Sequence, residues 1–222
     1  EEFNPTVERN IINNLTASCP DDDSDDNSFT SEIDYTKHVI TVVFPYNYPK
    51  LSDNVLQLSD LKKMRVIADL DNNVYVYPTL LFMDMTKDNF ITVKDQTGAS
   101  TEYKVVAEIR KSNACAITKF NITSLGLSGI INESTKTISL ISLESIGEVL
   151  ADISISHGAT ISPDPRTVAL NYDEDQKITV TAQNGTTKST YTVKKEIPEK
   201  IAAGLRANSA KLIWAKKLTD IG

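Results

Sequence analysis

A chain of 222 residues, 40% of them hydrophobic and 24% charged, can bury one large core or two small ones and is too apolar to be disordered. A net charge of −7 and a pI near 4.9 exclude a nucleic-acid binder, which needs a clustered basic face to neutralise phosphates. No run reaches the ~18 apolar residues of a membrane span. No basic-then-apolar signal peptide opens the chain, and its start at Glu1 reads as that of a processed form.

The first 34 residues hold ten acids against Arg9 alone. Five of these acids crowd into Asp21–Asn27. Carboxylates at that density could supply the oxygens that calcium takes. The glycine and terminal glutamate of an EF-hand loop are missing, however, and like charges repel, so the favoured reading is a solvated, flexible loop. A strand is predicted over Lys37–Phe44, followed by the loop Pro45-Tyr-Asn-Tyr-Pro49. Tyr46 and Tyr48 are the candidate ligand-binding residues, because rings exposed in such a loop can stack on sugar faces. The next predicted strand, Asn73–Phe82, carries Tyr75 and Tyr77 two residues apart; these are expected on its core face. Further strands are predicted over Ile117–Thr123, Lys136–Ser142 and Ala151–Ser156. Residues 202–222 hold the only tryptophan, Trp214, without a clean period, and read as a tail or the start of something else.

An internal repeat organises the rest. Asp88-Asn-Phe-Ile-Thr-Val93 matches Asp175-Gln-Lys-Ile-Thr-Val180, Gly98 matches Gly185, and Tyr103-Lys-Val105 matches Tyr191-Thr-Val193. Each copy alternates apolar and polar residues on either side of a turn, which predicts a β-hairpin with one buried face. In the second copy Asn184-Gly185 predicts a tight turn, since both residues accept positive φ. Ile33 to Ile40 parallels Ile131 to Ile138, and the first copy holds about eleven extra residues, placed within Leu56–Leu80. Many short strands at this spacing predict an all-β sandwich or barrel.

Catalytic chemistry finds little purchase. His38 and His157 belong to no metal-spaced pair, and Cys19 and Cys115, 96 residues apart, do not complete one. The two cysteines either bridge the start of the chain to its middle or stand as isolated small side chains. There is no nucleophile elbow, zinc-protease helix, phosphate loop or dinucleotide fingerprint. Ser156 and His157 are adjacent but lack an orienting third group. Asp173-Glu174-Asp175 reads as a polar connection before a strand.

Ser156-His-Gly-Ala-Thr-Ile-Ser-Pro163, followed by Ile178 to Val193, resembles the tandem β-sandwich modules of surface lipoproteins in gut Gram-negative bacteria. The resemblance covers residues 115–197 well and the first copy in part; there the Gly-Ala-x-Ile-x-Pro element has no counterpart in the sequence. It implies an immunoglobulin-like fold, export, and a lipid anchor on a cysteine just before Glu1. The expected architecture is two tandem immunoglobulin-like β-sandwich domains, residues 1–112 and 113–197, with a C-terminal extension over 198–222. The expected function is a non-catalytic adhesion, binding or spacer module at the cell surface or periplasm, without catalytic residue, cofactor or metal. Its partner would be a glycan or a protein, and it would meet the membrane only through its anchor. The alternative is an accessory module of a glycan-degrading enzyme whose catalytic part lies beyond Gly222.

Overall fold

The computed structural model describes residues 11–197, and these fold as all-β sandwiches, as expected. The tail after Pro198, with Trp214, lies outside the described residues. The chain divides between Lys111 and Ser112 into two compact units.

The first unit contains β1 (Ile12–Ser18), β2 (Ser31–Asp34), β3 (Val39–Pro45), β4 (Met64–Leu70), β5 (Tyr75–Tyr77), β6 (Phe82–Met83), β7 (Asn89–Lys94) and β8 (Ser100–Arg110). One sheet has the order β1-β4-β6 and the other β2-β3-β8-β7-β5, with β3 and β8 parallel and the remaining pairs antiparallel. The alternation in β3 sets the inner face: Ile40, Val42 and Phe44 are fully buried while Val39, Thr41 and Val43 are not. They meet Ile91 and Val93 of β7, Tyr103 and Val105 of β8, and Ile12, Leu15, Met64 and Val66 from the opposite sheet. Each such side chain contributes about 1.5–3 kcal/mol by leaving water.

The second unit contains β9 (Ile117–Ile122), β10 (Leu127–Ser128), β11 (Ile130–Asn132), β12 (Thr137–Ile141), β13 (Glu148–Val149), β14 (Asp152–Ile155), β15 (Thr160–Ser162), β16 (Leu170–Asn171), β17 (Gln176–Thr181) and β18 (Lys188–Glu196). Its larger sheet, β11-β12-β18-β17-β15, reproduces the larger sheet of the first unit strand for strand, including the parallel β12–β18 pair. The smaller sheet is β10-β9-β14, and β13 pairs with β16. Ile138, Leu140, Ile178, Val180, Tyr191 and Val193 fill the core with Phe120 and Tyr172.

The repeat extends to single hydrogen bonds. His38 and Lys136 both take the left-handed backbone, φ 53° and 52°, at the turn entering the parallel strand. The carbonyl of His38 accepts from Lys104 N–H, and that of Lys136 from Thr192 N–H, each at 2.9 Å. Before them, Asp34 Oδ1 accepts from the amides of Thr36 and Lys37, and Asn132 Oδ1 from those of Ser134 and Thr135.

Four expectations change. The extra residues of the first copy fall largely in a connection that straddles Leu56, the start of the predicted range: eighteen residues, 46–63, separate β3 from β4, against ten, 142–151, between β12 and β14. The strand predicted over Asn73–Phe82 is two strands in different sheets, because Pro78 lacks the amide that would continue the ladder. The Gly-Ala-x-Ile-x-Pro element does have a counterpart. Val76 pairs with Val93 as Ile161 pairs with Val180, so Val74-Tyr-Val-Tyr-Pro78 occupies the place of Ala159-Thr-Ile-Ser-Pro163. At the second hairpin only Gly185 has positive φ (76°); Asn184 instead accepts from the amides of Thr186 and Thr187 through its side chain.

Candidate functional site

The loop after β3 places Tyr46 and Tyr48 differently from a sugar platform. Tyr48 is half-buried, its ring edge-on to Phe29 at 5.2 Å, and its hydroxyl donates to the Asp22 carboxylate. Burial, and then the Asp22 carboxylate, push its pKa up to about 12, while the hydroxyl holds Asp22 below its usual range. Tyr48 is therefore a strut. Tyr46 is half-buried with Lys111 Nζ 4.9 Å from its ring centroid, so a cation already lies over one face.

The acidic run is tied to this loop. Asn27 accepts from Cys19 N–H at 2.7 Å and donates to the Cys19 carbonyl at 2.7 Å, and Lys50 Nζ pairs with Asp26 at 3.0 Å. Most of its carboxylates stay in solvent. Among the described residues, no group of three or more His, Cys, Asp or Glu side chains is placed to hold a metal ion. Cys19 and Cys115 are free thiols, each packed against the core of its own unit. His38 sits edge-on to Tyr103 at 5.4 Å.

The rings that do face solvent are Tyr75 and Tyr77, 63% and 76% exposed, contrary to the core placement expected for them. The register decides this. Val76 lies opposite the buried Val93, so its neighbours Tyr75 and Tyr77 lie opposite Lys94 and Thr92 on the outer face. Phe90, 55% exposed, stands on the same outer face of β7, one diagonal step from Tyr77. The alternation of Ile91 and Val93 already turns Phe90 outward, but the row's members come from two strands, and only the register brings Phe90 beside Tyr77. Across the sheet the row is bordered by Glu102 opposite Thr92 and by Lys104 opposite Phe90; Lys104 pairs with Asp88 at 2.6 Å.

In the second unit, an open cleft of about 580 Å³ is lined by Thr123, Ser124, Val149–Asp152 and Arg166. Both charges in its wall are already paired: Arg166 with Asp164 at 2.8 Å and Asp152 with Lys119 at 2.5 Å. Nearby in sequence, Asp173 accepts from Ser145, from the amides of Ile146 and Gly147 at 2.9 Å, and from Lys195 at 2.9 Å. These donors hold its carboxyl well below the usual range, and they tie residues 145–147 to Asp173.

Residues 1–107 match a family described as Domain of unknown function (DUF5018), and residues 117–195 match Domain of unknown function (DUF8499). No curated protein matches the chain. Among solved structures, the chain is similar to a protein of Bacteroides thetaiotaomicron VPI-5482 provisionally described as a glycoside hydrolase. Identity is 25% and the TM-score 0.34, over 41% of this chain and 27% of that one. A second is a protein of Bacteroides fragilis NCTC 9343 provisionally described as secreted, at 18% identity and TM-score 0.33, over 45% of this chain and 94% of that one. The chain thus spans about a quarter of the length of the first of these. No helix among the described residues is long and apolar enough to cross a membrane.

Proposed function

We propose that this chain is a non-catalytic binding module displayed by an exported bacterial surface protein, with the first unit holding the ligand and the second acting as a spacer. One observation carries the reading. Among the described residues, every aromatic side chain with a large exposed surface (Tyr35, Tyr75, Tyr77, Phe82 and Phe90) belongs to the first unit, while Phe120, Tyr172 and Tyr191 of the second are all buried. Exposed aromatic side chains concentrated in one of two otherwise similar units point to an interaction site in that unit. Export, a lipid anchor and an immunoglobulin-like fold enter through the resemblance carried by Ser156–Pro163 and Ile178–Val193.

The test is retention of the labelled chain on a glycan array and on intact cells, with reducing-sugar release measured in parallel. Retention on either without sugar release is expected. Folded protein retained on neither would leave only the spacer role, and release of sugar ends would overturn the non-catalytic reading.

A further inference from the structure

The outer row on the larger sheet of the first unit has an internal control. The two sheets superpose in register: Tyr75 and Tyr77 of β5 correspond to Thr160 and Ser162 of β15, and Phe90 of β7 corresponds to Lys177 of β17. Their inward partners are conserved in kind between the copies, Val76 with Ile161, Ile91 with Ile178 and Val93 with Val180. The fold thus builds the same strands with small polar or charged groups at these three outer positions. The rings contribute little to folding where they stand, and each leaves apolar surface in water that only a ligand would cover.

We propose that Tyr75, Tyr77 and Phe90 form a platform for an uncharged polysaccharide chain, which deepens the binding reading above and rests on it. Positions two apart on a strand lie about 6.6–7 Å apart, so Tyr75, Tyr77 and the diagonal Phe90 make a strip roughly 14 Å long, the length of a short oligosaccharide. Sugar rings present flat C–H faces to aromatic rings and hydroxyls at their edges. The border supplies partners for those hydroxyls: Thr92, Lys94, Glu102 and the Lys104–Asp88 pair. Two lysines against two carboxylates leave the border without net charge, which selects a neutral chain over a polyanionic one. A second copy of this chain is a poorer occupant. β5 is three residues long and followed by Pro78, so its free edge offers little ladder for strand pairing.

The experiment compares the full chain with Y75T/Y77S/F90K, which installs the second unit's own residues, and with Y77S alone. Each is run through native gels containing soluble neutral polysaccharides (xyloglucan, glucomannan, mixed-linkage β-glucan or starch) and, for contrast, polygalacturonate. Circular dichroism and melting check folding. The wild type should be retarded by at least one neutral polymer and not by polygalacturonate. The triple variant should bind on the order of tenfold or more weakly with its melting curve unchanged, and Y77S should fall between. Retardation that the triple variant retains in full overturns the platform and leaves the binding-module reading intact. No retardation by any neutral polymer overturns the ligand class, and the module reading then stands or falls on its own array test. A triple variant that changes sedimentation from dimer to monomer overturns the proposal in favour of self-association.

Discussion

The two units share a sheet order and even the left-handed turn residues His38 and Lys136, yet they use aromatic residues in opposite ways. The second has only Phe120, Tyr172 and Tyr191 among its described residues, and all three are core. The first keeps Phe29, Phe44 and Tyr103 inside and places Tyr75, Tyr77 and Phe90 on the outer face of its larger sheet. Buried rings are explained by folding; the exposed ones are not, because the sister unit folds with Thr160, Ser162 and Lys177 in their place. The structural repeat thus separates what the sandwich needs from what only one unit carries.

The largest expected effect tests that separation directly. Phe120→Ala should destabilise the second unit by about 3–5 kcal/mol, since a large buried ring leaves a cavity. Phe90→Ala should change the first by less than about 0.5 kcal/mol, as exposed substitutions away from caps and networks do. Denaturant titration followed by circular dichroism distinguishes them; comparable losses would mean that Phe90 is part of the core. The separation can also be run in reverse. Thr160→Tyr, Ser162→Tyr and Lys177→Phe, added to Y75T/Y77S/F90K, should recover part of the lost polysaccharide retardation without lowering the melting temperature.

A smaller effect distinguishes the two units by their polar clamps. Asp173 gathers Ser145, two amides and Lys195 in the second unit, so its folded-state pKa lies below its unfolded value. A depressed carboxylate contributes stability that is present above the unfolded pKa, near 4, and lost as pH falls through the folded one. Asp173→Asn should therefore lower the melting temperature at pH 7 and narrow the difference from wild type as the pH drops below about 4. A pH-independent difference would show that the amide geometry, not the charge, holds the loop.

Much of this architecture is legible in the sequence, and the failures have physical causes. The Ile-Thr-Val hairpins announce themselves because one strand alone carries the alternation, and both inner faces fall where Ile91, Val93, Ile178 and Val180 predict. Alternation does not say which set faces in when both are apolar. In Val74-Tyr-Val-Tyr77 the choice is made by pairing with Val93, seventeen residues later. Tyr48 looked free in a proline-flanked loop, but Asp22, 26 residues earlier, captures its hydroxyl. The platform itself joins Phe90 to a strand thirteen residues upstream, a neighbourhood set by register alone.

The smallest expected effect contrasts two buried tyrosines within the second unit. Tyr191 donates to Glu133 at 2.5 Å and accepts the Ile117 amide at 3.2 Å, so its hydroxyl ties the hairpin turn to β9. Removing it orphans a buried amide, and Tyr191→Phe should cost about 1–2 kcal/mol. Tyr172 is equally buried and edge-on to Phe120 at 5.8 Å, but its hydroxyl has no hydrogen-bond partner, and burial pushes its pKa up to about 12. An unpaired hydroxyl in a core opposes folding while its ring favours it. Tyr172→Phe keeps the ring and removes the desolvated oxygen, so it should be neutral or stabilise by about 1 kcal/mol. Equal losses from Tyr172→Phe and Tyr191→Phe in chemical denaturation would mean that the Tyr172 hydroxyl is satisfied in solution, and that polar pairing does not distinguish these two core rings.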